Sequence, residues 1–414
     1  MIETTEVRTE VASNGEGPDA RRALLAQLLR ERATRERRAP LSHAQERLWF
    51  VERLAPGNGA YHMSTTLRLE GDLDVARLER ALTMVAQRHQ VLLSRIELSE
   101  EGPVQVIDPT QGLPLERVDL RGMPLEQAER HAQRLAIELG QRPFDLEQGP
   151  LARATALRVH EQTTLLAITL HHVVCDGWSI ALFIREVGHC YTHETAEGLG
   201  SLTLQYDDVA ALERQRLAGP EGDALQAYWT DRLGGLSPVD HFTPDQPRPP
   251  TQTYNGASTT FELPPALVRR VEALAQETRS TPFMVLTAAQ ATLMARYSGA
   301  KEVAIGTPVA NRPDTRTEHL IGCFVNTLVL RIPVRDDDTF HALLRRGRQE
   351  ALAAYEHQNF PYARLVEALQ TTRELSGASL FQVFLAVQNT PSASVQLAGV
   401  EAKPIPLVYG RAPF

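Results

Sequence analysis

The sequence of 414 residues has almost no lysine, little cysteine and no long apolar run. Its three cysteines, Cys175, Cys190 and Cys323, form neither a CxxC pair nor a Cys/His cluster, so they fit a reducing cytoplasm and predict no metal site. No apolar run approaches the ~18 residues of a membrane span, and residues 1–22 lack the apolar stretch of a signal peptide. These absences predict a cytoplasmic protein that does not enter a membrane.

Nearly all the positive charge is arginine, because Lys301 and Lys403 are the only lysines. The net charge of −8 and the absence of a Lys/Arg block exclude a nucleic acid or an anionic membrane as the expected partner. The composition, 43% apolar and 23% charged, is that of a globular protein. Neither half contains a glycine-rich phosphate loop, a dinucleotide fingerprint or a GxSxG motif.

Helical and strand patterns alternate on both sides of one break. Residues 234–256 are rich in Pro, Asp and Gly and interrupt all periodicity, so we expect them to connect two lobes. The pattern predicts an α/β fold with mixed sheets, a helix within residues 1–38, an N-terminal lobe at 39–216 and a C-terminal lobe at 217–414. The helix is either a linker packed on the first lobe or a docking helix for an upstream protein.

The segment LHHVVCDGWS, residues 170–179, ends an apolar strand and precedes a helical pattern. Successive strand residues point to opposite faces, so His171 and His172 are not expected to bind one metal ion. We expect one histidine to be held in the core and His172 to face a cleft, where its near-neutral pKa suits proton transfer. Asp176 either orients an imidazole or pairs with an arginine, and Gly177 permits a sharp bend that brings an N–H to the reacting centre. The plainer alternative is two core histidines and a helix cap.

We expect structural roles for one cysteine of the HHxxxDG segment and for two tryptophans. Cys175 lies beside Asp176, but no thiolate-activating pattern surrounds it, so we do not expect it to be a nucleophile. Trp49 and Trp178 are more typical of core aromatics than of substrate contacts.

The HHxxxDG motif in this strand, turn and helix setting resembles the chloramphenicol acetyltransferase-like superfamily. The rest of the sequence, from about Leu41 to its end, resembles condensation domains of nonribosomal peptide synthetases. Five further segments match the family in order: LSHAQERLWF (41–50), QRHQVLLSRI (87–96), LQYDDVA (204–210), IGCFVNTLVLR (321–331) and HQNFPYARLVEAL (357–369). Two departures are Leu93, where the family has Arg, and RELSGASLFQV (373–383), a weak match to the seventh motif.

The resemblance implies a V-shaped pseudo-dimer of two chloramphenicol acetyltransferase-like lobes with an active-site tunnel between them. It implies amide bond formation between a donor acyl or peptidyl thioester and an acceptor aminoacyl thioester. Both substrates arrive on phosphopantetheine arms of donor and acceptor carrier proteins, with no bound metal or cofactor. The expected setting is a monomeric domain beside other synthetase domains of antibiotic or siderophore biosynthesis, with an upstream synthetase as the partner of the N-terminal helix.

The resemblance also implies roles for the site residues. The catalytic set is His171, His172, Asp176 and Gly177, in which His172 is either a general base or a positioning group for the amine. By resemblance, Asp176 pairs with Arg312 of GTPVANR as a structural salt bridge. The remaining residues are expected to support the site, with Asn326 near the tunnel or tying down the crossing strand: Arg47, Trp178, Arg312 and Asn326.

Two other functions share this motif: an epimerization domain, which would move an α-proton, and an inactive docking domain. DGWS, LSHAQERLWF and HQNFP favour condensation, and the two histidines exclude a heterocyclization domain, which has aspartates there. VNTLVLR and HQNFP lean toward a D-configured donor. The family continues past the position of residue 414, so the resemblance implies a truncated and less stable C-terminal lobe.

Overall fold

The computed structural model describes residues 36–236, 242, 244–246, 253–370, 380–388 and 396–410. Three sequence-based predictions fall partly or wholly outside these residues: the N-terminal helix, most of the break at 234–256, and the loop of the seventh motif at 373–379. Within the described ranges, no helix is long and apolar enough to span a membrane.

Residues 36–236, the described part of the first half, form six α-helices and seven strands. Its helices are α1 (His43–Leu54), α2 (Val75–Arg88), α3 (Leu125–Gln141), α4 (Gly177–His193), α5 (Tyr206–Leu217) and α6 (Pro220–Leu233). Its strands are β1 (Arg37–Pro40), β2 (His62–Gly71), β3 (Ser94–Ser99), β4 (Gly102–Ile107), β5 (Leu115–Asp119), β6 (Ala152–His160) and β7 (Thr163–His171).

The described part of the second half is also mixed α and β, as the pattern predicts. Its helices are α7 (Pro265–Glu277), α8 (Pro282–Ser298), α9 (Phe340–Glu356) and α10 (Tyr362–Gln370). Its strands are β8 (Glu302–Val309), β9 (Asn326–Pro333), β10 (Val383–Phe384), β11 (Gln396–Leu397) and β12 (Val400–Ile405).

Three sheets organise these elements. A six-stranded sheet has the order β11-β12-β2-β7-β6-β5, and small sheets have the orders β1-β4-β3 and β10-β8-β9. In the large sheet β5 and β6 are parallel and the other pairs are antiparallel. The mixed sheets confirm the predicted fold class.

Strand β7 is buried on both faces, which explains its unbroken apolar sequence. Leu166 and Ile168 enter the main core of the first half, which includes α2 and α4. Leu165 and Ala167 face the opposite side, where they pack with alanines of α3. A strand covered on both faces loses the usual apolar and polar alternation. The same alternation places His171 on the α3 side of the sheet and turns the next residue away from it.

The C-terminal strands do not stay with the second half. Strand β12 pairs with β2 from Val400↔Gly71 to Ile405↔Thr66, so the end of the described chain completes the first-half sheet. A side chain at Gly71, where φ is +135°, would place its Cβ 2.3 Å from the carbonyl oxygen of Gly399. Only glycine allows this close approach.

The two largest apolar cores of the described residues change over near residue 216, with one exchange. One core contains residues from Leu41 to Tyr206, and the other begins at Leu217. Residues 320–324 and strands β11 and β12, however, pack into the first core. The assignment of all of 217–414 to the second lobe is therefore wrong for these segments, because their backbone and side chains are completed by the first-half sheet and core.

A buried histidine cluster lies at the start of β2. His62 Nδ1 is 2.8 Å from the carbonyl oxygen of Gly140, and within the described chain its Nε2 is buried without a partner. The His62 ring packs against Phe144 and His171 at centroid distances of 5.0 and 5.9 Å. Burial lowers the pKa of His62 to about 4, although the Gly140 carbonyl opposes this shift.

We expect His62 to make the free energy of unfolding fall as the pH is lowered from 6.5 to about 4. The unfolded chain binds this proton with the ordinary pKa, whereas the folded chain binds it only near the lower value, so acid favours unfolding by up to about 1.4 kcal/mol per pH unit. Urea unfolding at a series of pH values should show a flatter pH dependence for His62→Gln. His160→Gln, at an exposed histidine, is the control, and equal slopes for wild type and His62→Gln would contradict the prediction.

Candidate active site

The HHxxxDG segment turns sharply between β7 and α4. Strand β7 ends at His171, a short 3-10 turn covers His172–Val174, and Asp176 caps the first turn of α4. The carboxylate Oδ1 of Asp176 accepts a hydrogen bond from the backbone N–H of Ser179 at 2.8 Å, which fixes where the helix begins. The sequence therefore predicts this local structure correctly.

His171 belongs to the interior of the first half. It is fully buried, and its Nδ1 accepts a hydrogen bond from the backbone N–H of Val173 at 3.1 Å. Its Nε2 lies 4.0 Å from Glu52 Oε2, and its ring packs edge-on against Phe144. Because these contacts occupy the ring on the side of α3, His171 does not share a ligand with His172.

His172 lies at the junction of the two halves and stays half-buried. Its backbone N–H donates to the carbonyl oxygen of Tyr61 at 2.8 Å, and its Nδ1 lies 3.8 Å from Cys323 Sγ. Burial lowers the pKa of His172 below 6.5; a hydrogen bond to its own backbone and the charge of Asp176 oppose this shift, and the charge of Arg47 adds to it. The imidazole is therefore neutral at pH 7 and is able to accept a proton.

Asp176 and Arg312 form a buried ion pair between the two halves. Arg312 Nη2 lies 3.2 Å from both carboxylate oxygens of Asp176, which is the pairing that the resemblance implied. Both side chains are only 3% exposed. Among the described residues the Asp176 carboxylate makes no hydrogen bond to an imidazole. The alternative in which it orients a histidine directly is therefore wrong, because the carboxylate is committed to the arginine and to backbone N–H groups.

Further contacts complete the surroundings of the pair. Asp176 Oδ2 accepts from the N–H of Phe324 at 3.0 Å, and Arg312 donates to the carbonyl oxygens of Leu320, at 2.8 Å, and Thr317. The guanidinium also lies 3.9 Å from the centroid of the Phe324 ring. The pair thus fixes the backbone of residues 320–325, which we call the crossing loop.

Three residues that the sequence did not single out as site residues hold the crossing loop. Ser179 Oγ donates to the carbonyl oxygen of Gly322 at 3.0 Å and accepts from its N–H at 3.1 Å. Tyr206 donates to the carbonyl oxygen of Cys323 at 2.6 Å, and His89 Nδ1 accepts from the N–H of Ile321 at 3.3 Å. The available signal was their position inside segments that match the family.

Gly322 and Leu93 explain two local features of this region. A Cβ at Gly322 would lie 2.0 Å from the Tyr206 ring, so only glycine fits beside the hydroxyl that binds the crossing loop. Leu93 is buried in the first core, so apolar packing takes the place of the arginine that the family has there. In the same segment, His89 Nε2 lies 2.7 Å from Glu186 Oε2.

Asn326 begins β9 and has its side chain fully engaged by backbone groups. Its Nδ2 donates to the carbonyl oxygens of Gln358 and Phe360 at 2.8 and 2.7 Å, and its Oδ1 accepts from the N–H of Tyr362 at 3.0 Å. Of the two expectations for Asn326, these contacts fit the tie to a neighbouring segment, although the residue also lines the cavity described below.

Gly177 is exposed, and its backbone conformation is not the one expected. It is the first residue of α4 and is absent from the glycines with positive φ. The expected sharp bend at Gly177 is therefore wrong, because its helical conformation is one that any residue can adopt. A Cβ at Gly177 would meet nothing within 4 Å, so the open space beside it is the feature that a larger residue would change.

The two tryptophans and Cys175 differ in their surroundings. Trp178 is only partly buried, so its assignment as a core aromatic is wrong; its indole N–H donates to the carbonyl oxygen of Glu318 at 3.0 Å and joins the halves. Trp49 packs at the edge of the first core. Cys175 is fully buried, and burial raises the pKa of its thiol well above the usual range, which leaves it protonated.

A cavity of about 190 Å³ opens near His172 and is lined by both halves. Cys323 and Arg47 line it, His172 does not, and Cys323 Sγ lies 3.8 Å from His172 Nδ1. In the part of the chain that the structure describes, Arg47 makes no hydrogen bond or ion pair. The lining residues also include Tyr206, Asn311, Asp314, Arg316 and Asn326.

An organic ligand fits this arrangement. No group of three or more His, Cys, Asp or Glu residues within the described ranges has a geometry that could hold a metal ion. The wall combines apolar and small side chains with many polar ones, and its surface is mostly apolar, as is usual in a site for an organic ligand. A neutral imidazole, a buried ion pair and a cavity at the junction of two halves can align two reactants and accept a proton.

The comparison with known families gives one match across the chain. The model of the family described as "Condensation domain" matches residues 35–404. One of the linear gramicidin synthase polypeptides of Brevibacillus parabrevis is 42% identical over 370 residues, which cover 89% of this chain and 7% of that protein. Phosphinothricin tripeptide synthetase PhsB of Streptomyces viridochromogenes is 37% identical over 356 residues, 85% of this chain and 30% of that protein. The chain thus spans a small part of the length of these relatives.

Solved structures with the same fold include an X-domain and a condensation domain. The X-domain from teicoplanin biosynthesis has a TM-score of 0.82 and 25% identity, with 91% of this chain and 84% of that chain covered. The first condensation domain of the calcium-dependent antibiotic synthetase, in complex with substrate analogue 3a, has a TM-score of 0.72 at 24% identity, and 91% and 86% are covered. These similarities confirm the chloramphenicol acetyltransferase-like fold.

We expect Asp176→Asn to lower the free energy of unfolding by about 3–5 kcal/mol, because it leaves Arg312 buried without a counter-charge. The asparagine oxygen can still cap α4, so this loss reports the ion pair. Asp74→Asn is the matched control: Asp74 caps α2 in the same way, through the N–H of Arg77, but it is exposed. Guanidinium unfolding measures both variants, and equal small losses would show that the pair contributes little.

Proposed function

This chain belongs to the condensation domain family, and we propose that it forms an amide bond between a donor acyl or peptidyl thioester and an acceptor aminoacyl thioester. The observation that carries this proposal is the position of His172 at the junction of the halves, 3.8 Å from Cys323, which lines a cavity to which both halves contribute. General base catalysis by a histidine needs the neutral form of the imidazole.

The proposed step joins two activated reactants. The amine nitrogen of the acceptor attacks the thioester carbonyl of the donor, the carbonyl oxygen takes on negative charge, and a proton leaves the nitrogen for His172. Collapse of the tetrahedral intermediate forms the amide and breaks the C–S bond, and the released thiolate takes a proton. Because a thioester is already activated, alignment, proton acceptance and oxyanion stabilisation are the work left to the protein.

The other site residues have supporting roles in this proposal. The backbone N–H of Gly177, at the start of α4, is the proposed donor to the oxyanion, where the helix N-terminus favours negative charge. Asp176 and Arg312 act through structure, since they hold the crossing loop and Cys323 against His172. His171 anchors the strand from which His172 projects.

The proposed partners are carrier proteins and neighbouring synthetase domains. The thioesters would arrive on phosphopantetheine arms, and the chemistry of the proposed step needs no resident metal or redox group. The relatives are named as synthases and synthetases. The matched part is 7% of the gramicidin synthase polypeptide and 30% of the phosphinothricin enzyme. We propose the same kind of assembly line for this chain.

A second candidate function is recruitment of another protein. One structural neighbour is an X-domain in a complex with OxyB from teicoplanin biosynthesis, with a TM-score of 0.78 at 25% identity. This neighbour favours a docking role as the alternative. A docking domain would bind its partner without changing the mass of any carrier, so the catalytic assay separates the two functions.

We expect His172→Ala to abolish the transfer of acyl mass from a donor carrier to an aminoacyl acceptor carrier. The assay is intact-protein mass spectrometry of both carriers, with D- and L-configured donors in parallel. His193→Ala, at an exposed histidine of the helix that follows, is the control and should retain full transfer. Below pH 6.5 the wild-type rate should fall more steeply than protonation of the acceptor amine alone predicts, because the pKa of His172 is lowered and its protonation then removes the base.

Other outcomes of this assay have defined meanings. Transfer by His172→Ala at the wild-type rate would remove His172 from the mechanism. No transfer by wild type, with exchange of the donor α-proton for deuterium, would support epimerization. No transfer and no exchange would support the docking function.

We expect Gly177→Ala to fold with unchanged or slightly higher stability but to lose at least about tenfold in transfer rate. Alanine is the better helix former, and its Cβ meets nothing in the unliganded protein. The added methyl group would occupy the space proposed for the substrate. Thermal unfolding and the transfer assay measure the two effects, and full activity would show that no substrate atom passes close to this Cα.

A further inference from the structure

Asn311 is one of several polar residues of the cavity wall that the proposed mechanism does not use. It lies between β8 and Arg312 and lines the cavity. Its Oδ1 is buried and, among the described residues, has no hydrogen-bond partner. An unsatisfied buried acceptor costs about 1–3 kcal/mol, so such an atom calls for an explanation.

The contrast with Asn326 shows what is unusual about this amide. Both asparagines line the same cavity: Asn326 begins β9 opposite Val309 of β8, and Asn311 follows Val309 by two residues. Asn326 uses both of its amide atoms on backbone groups. The Asn311 oxygen has no such commitment within the described chain, although the residue is half-buried rather than exposed. Asn326 therefore supports the fold, and Asn311 has capacity left for a ligand.

The backbone of Asn311 is held in one conformation. Its φ is +50°, which is uncommon for a residue with a side chain, although asparagine tolerates it better than most. The ion pair of Arg312 with Asp176 holds the next residue. Rotation about Cβ–Cγ exchanges the positions of the amide oxygen and nitrogen of this side chain.

We propose that Asn311 is a substrate-binding residue whose side-chain oxygen accepts a hydrogen bond from an amide N–H of a pantetheine arm in the cavity. This inference rests on the proposed function and adds a residue that recognises the arm. A pantetheine arm carries two secondary amides, each with an N–H donor, and a thioester without amides carries none. Binding satisfies the Asn311 oxygen, so the cost of leaving it unsatisfied is removed only when the arm is present.

The position of Asn311 along its loop fits this role. On one side the loop reaches the buried Arg312, and beyond it come Asp314 and Arg316, which also line the cavity and are exposed in part. Cys323 lines the same cavity and lies beside His172. Asn311 thus shares a cavity with exposed residues and with a neighbour of the proposed base, and this is the cavity in which we place the pantetheine arm.

Two variants distinguish the effect of losing the side-chain amide from the effect of straining the backbone. Asn311→Gly keeps the left-handed backbone but removes the amide, and Asn311→Ala removes the amide and strains the backbone. Arg279→Gly is the matched control, since Arg279 has a φ of +52° and is exposed away from the cavity. It should behave as wild type in every assay.

The experiment measures KM and kcat with carrier-free substrates. Aminoacyl-pantetheine and acyl-pantetheine are varied in turn, and each is compared with the corresponding ethyl thioester, which has no pantetheine amide. We expect Asn311→Gly to raise KM for one of the two pantetheine substrates about fivefold, the effect of one hydrogen bond, with kcat changed less than about twofold. KM for the ethyl thioesters should not change. The substrate affected identifies the donor or acceptor arm.

Two results would overturn the proposal. An unchanged KM for both pantetheine substrates in Asn311→Gly would mean that Asn311 is present only for its backbone conformation. An equal rise for pantetheine and ethyl thioesters would mean that the substitution alters the cavity without removing a contact to the arm. If wild type forms no amide, equilibrium binding of pantetheine itself decides: weaker binding to Asn311→Gly supports the proposal, and equal binding contradicts it.

Discussion

The buried pair of Asp176 and Arg312 is the interaction on which the candidate site depends. One partner caps α4 directly after the HHxxxDG turn, and the other follows β8 in the second half. Through the N–H of Phe324 and the carbonyl oxygen of Leu320 the pair also fixes the crossing loop. The position of Cys323 beside His172 is therefore set by an interaction that does not touch the imidazole.

The main effect of such a pair is to fix the positions of the backbone groups that it binds, rather than to raise the free energy of unfolding. Removing two charges from water costs several kcal/mol, and their attraction offsets this only when further hydrogen bonds satisfy both groups. Here Asp176 accepts from Ser179 and Phe324, and Arg312 donates to carbonyl oxygens of its own half. An apolar pair of similar volume could pack as well, but it would not specify which backbone groups of the two halves meet.

The sequence predicts the elements that depend on local pattern and misses contacts made at long range. The strand, turn and helix around His172 follow from apolar runs and a capping aspartate, and the opposite directions of His171 and His172 follow from strand geometry. The pairing of β12 with β2 does not follow, since a short strand pattern carries no information about which distant strand it joins. Ser179, Tyr206 and Asn311 are missed for the same reason, because their roles depend on residues more than 100 positions away or on a cavity.

The lowered pKa of His172 limits what a base at this position can do. An aminoacyl amine has a pKa near 8, so a histidine whose pKa lies below 6.5 removes little of the proton from a free ammonium group. Attack on the thioester changes this balance, because the nitrogen becomes far more acidic as it bonds to carbon. A weak, neutral base is then sufficient. The charge of Arg47, which also lowers this pKa, favours the neutral imidazole throughout. Proton acceptance during or after C–N bond formation, with the amine arriving neutral, is therefore the order of events that this electrostatic environment favours.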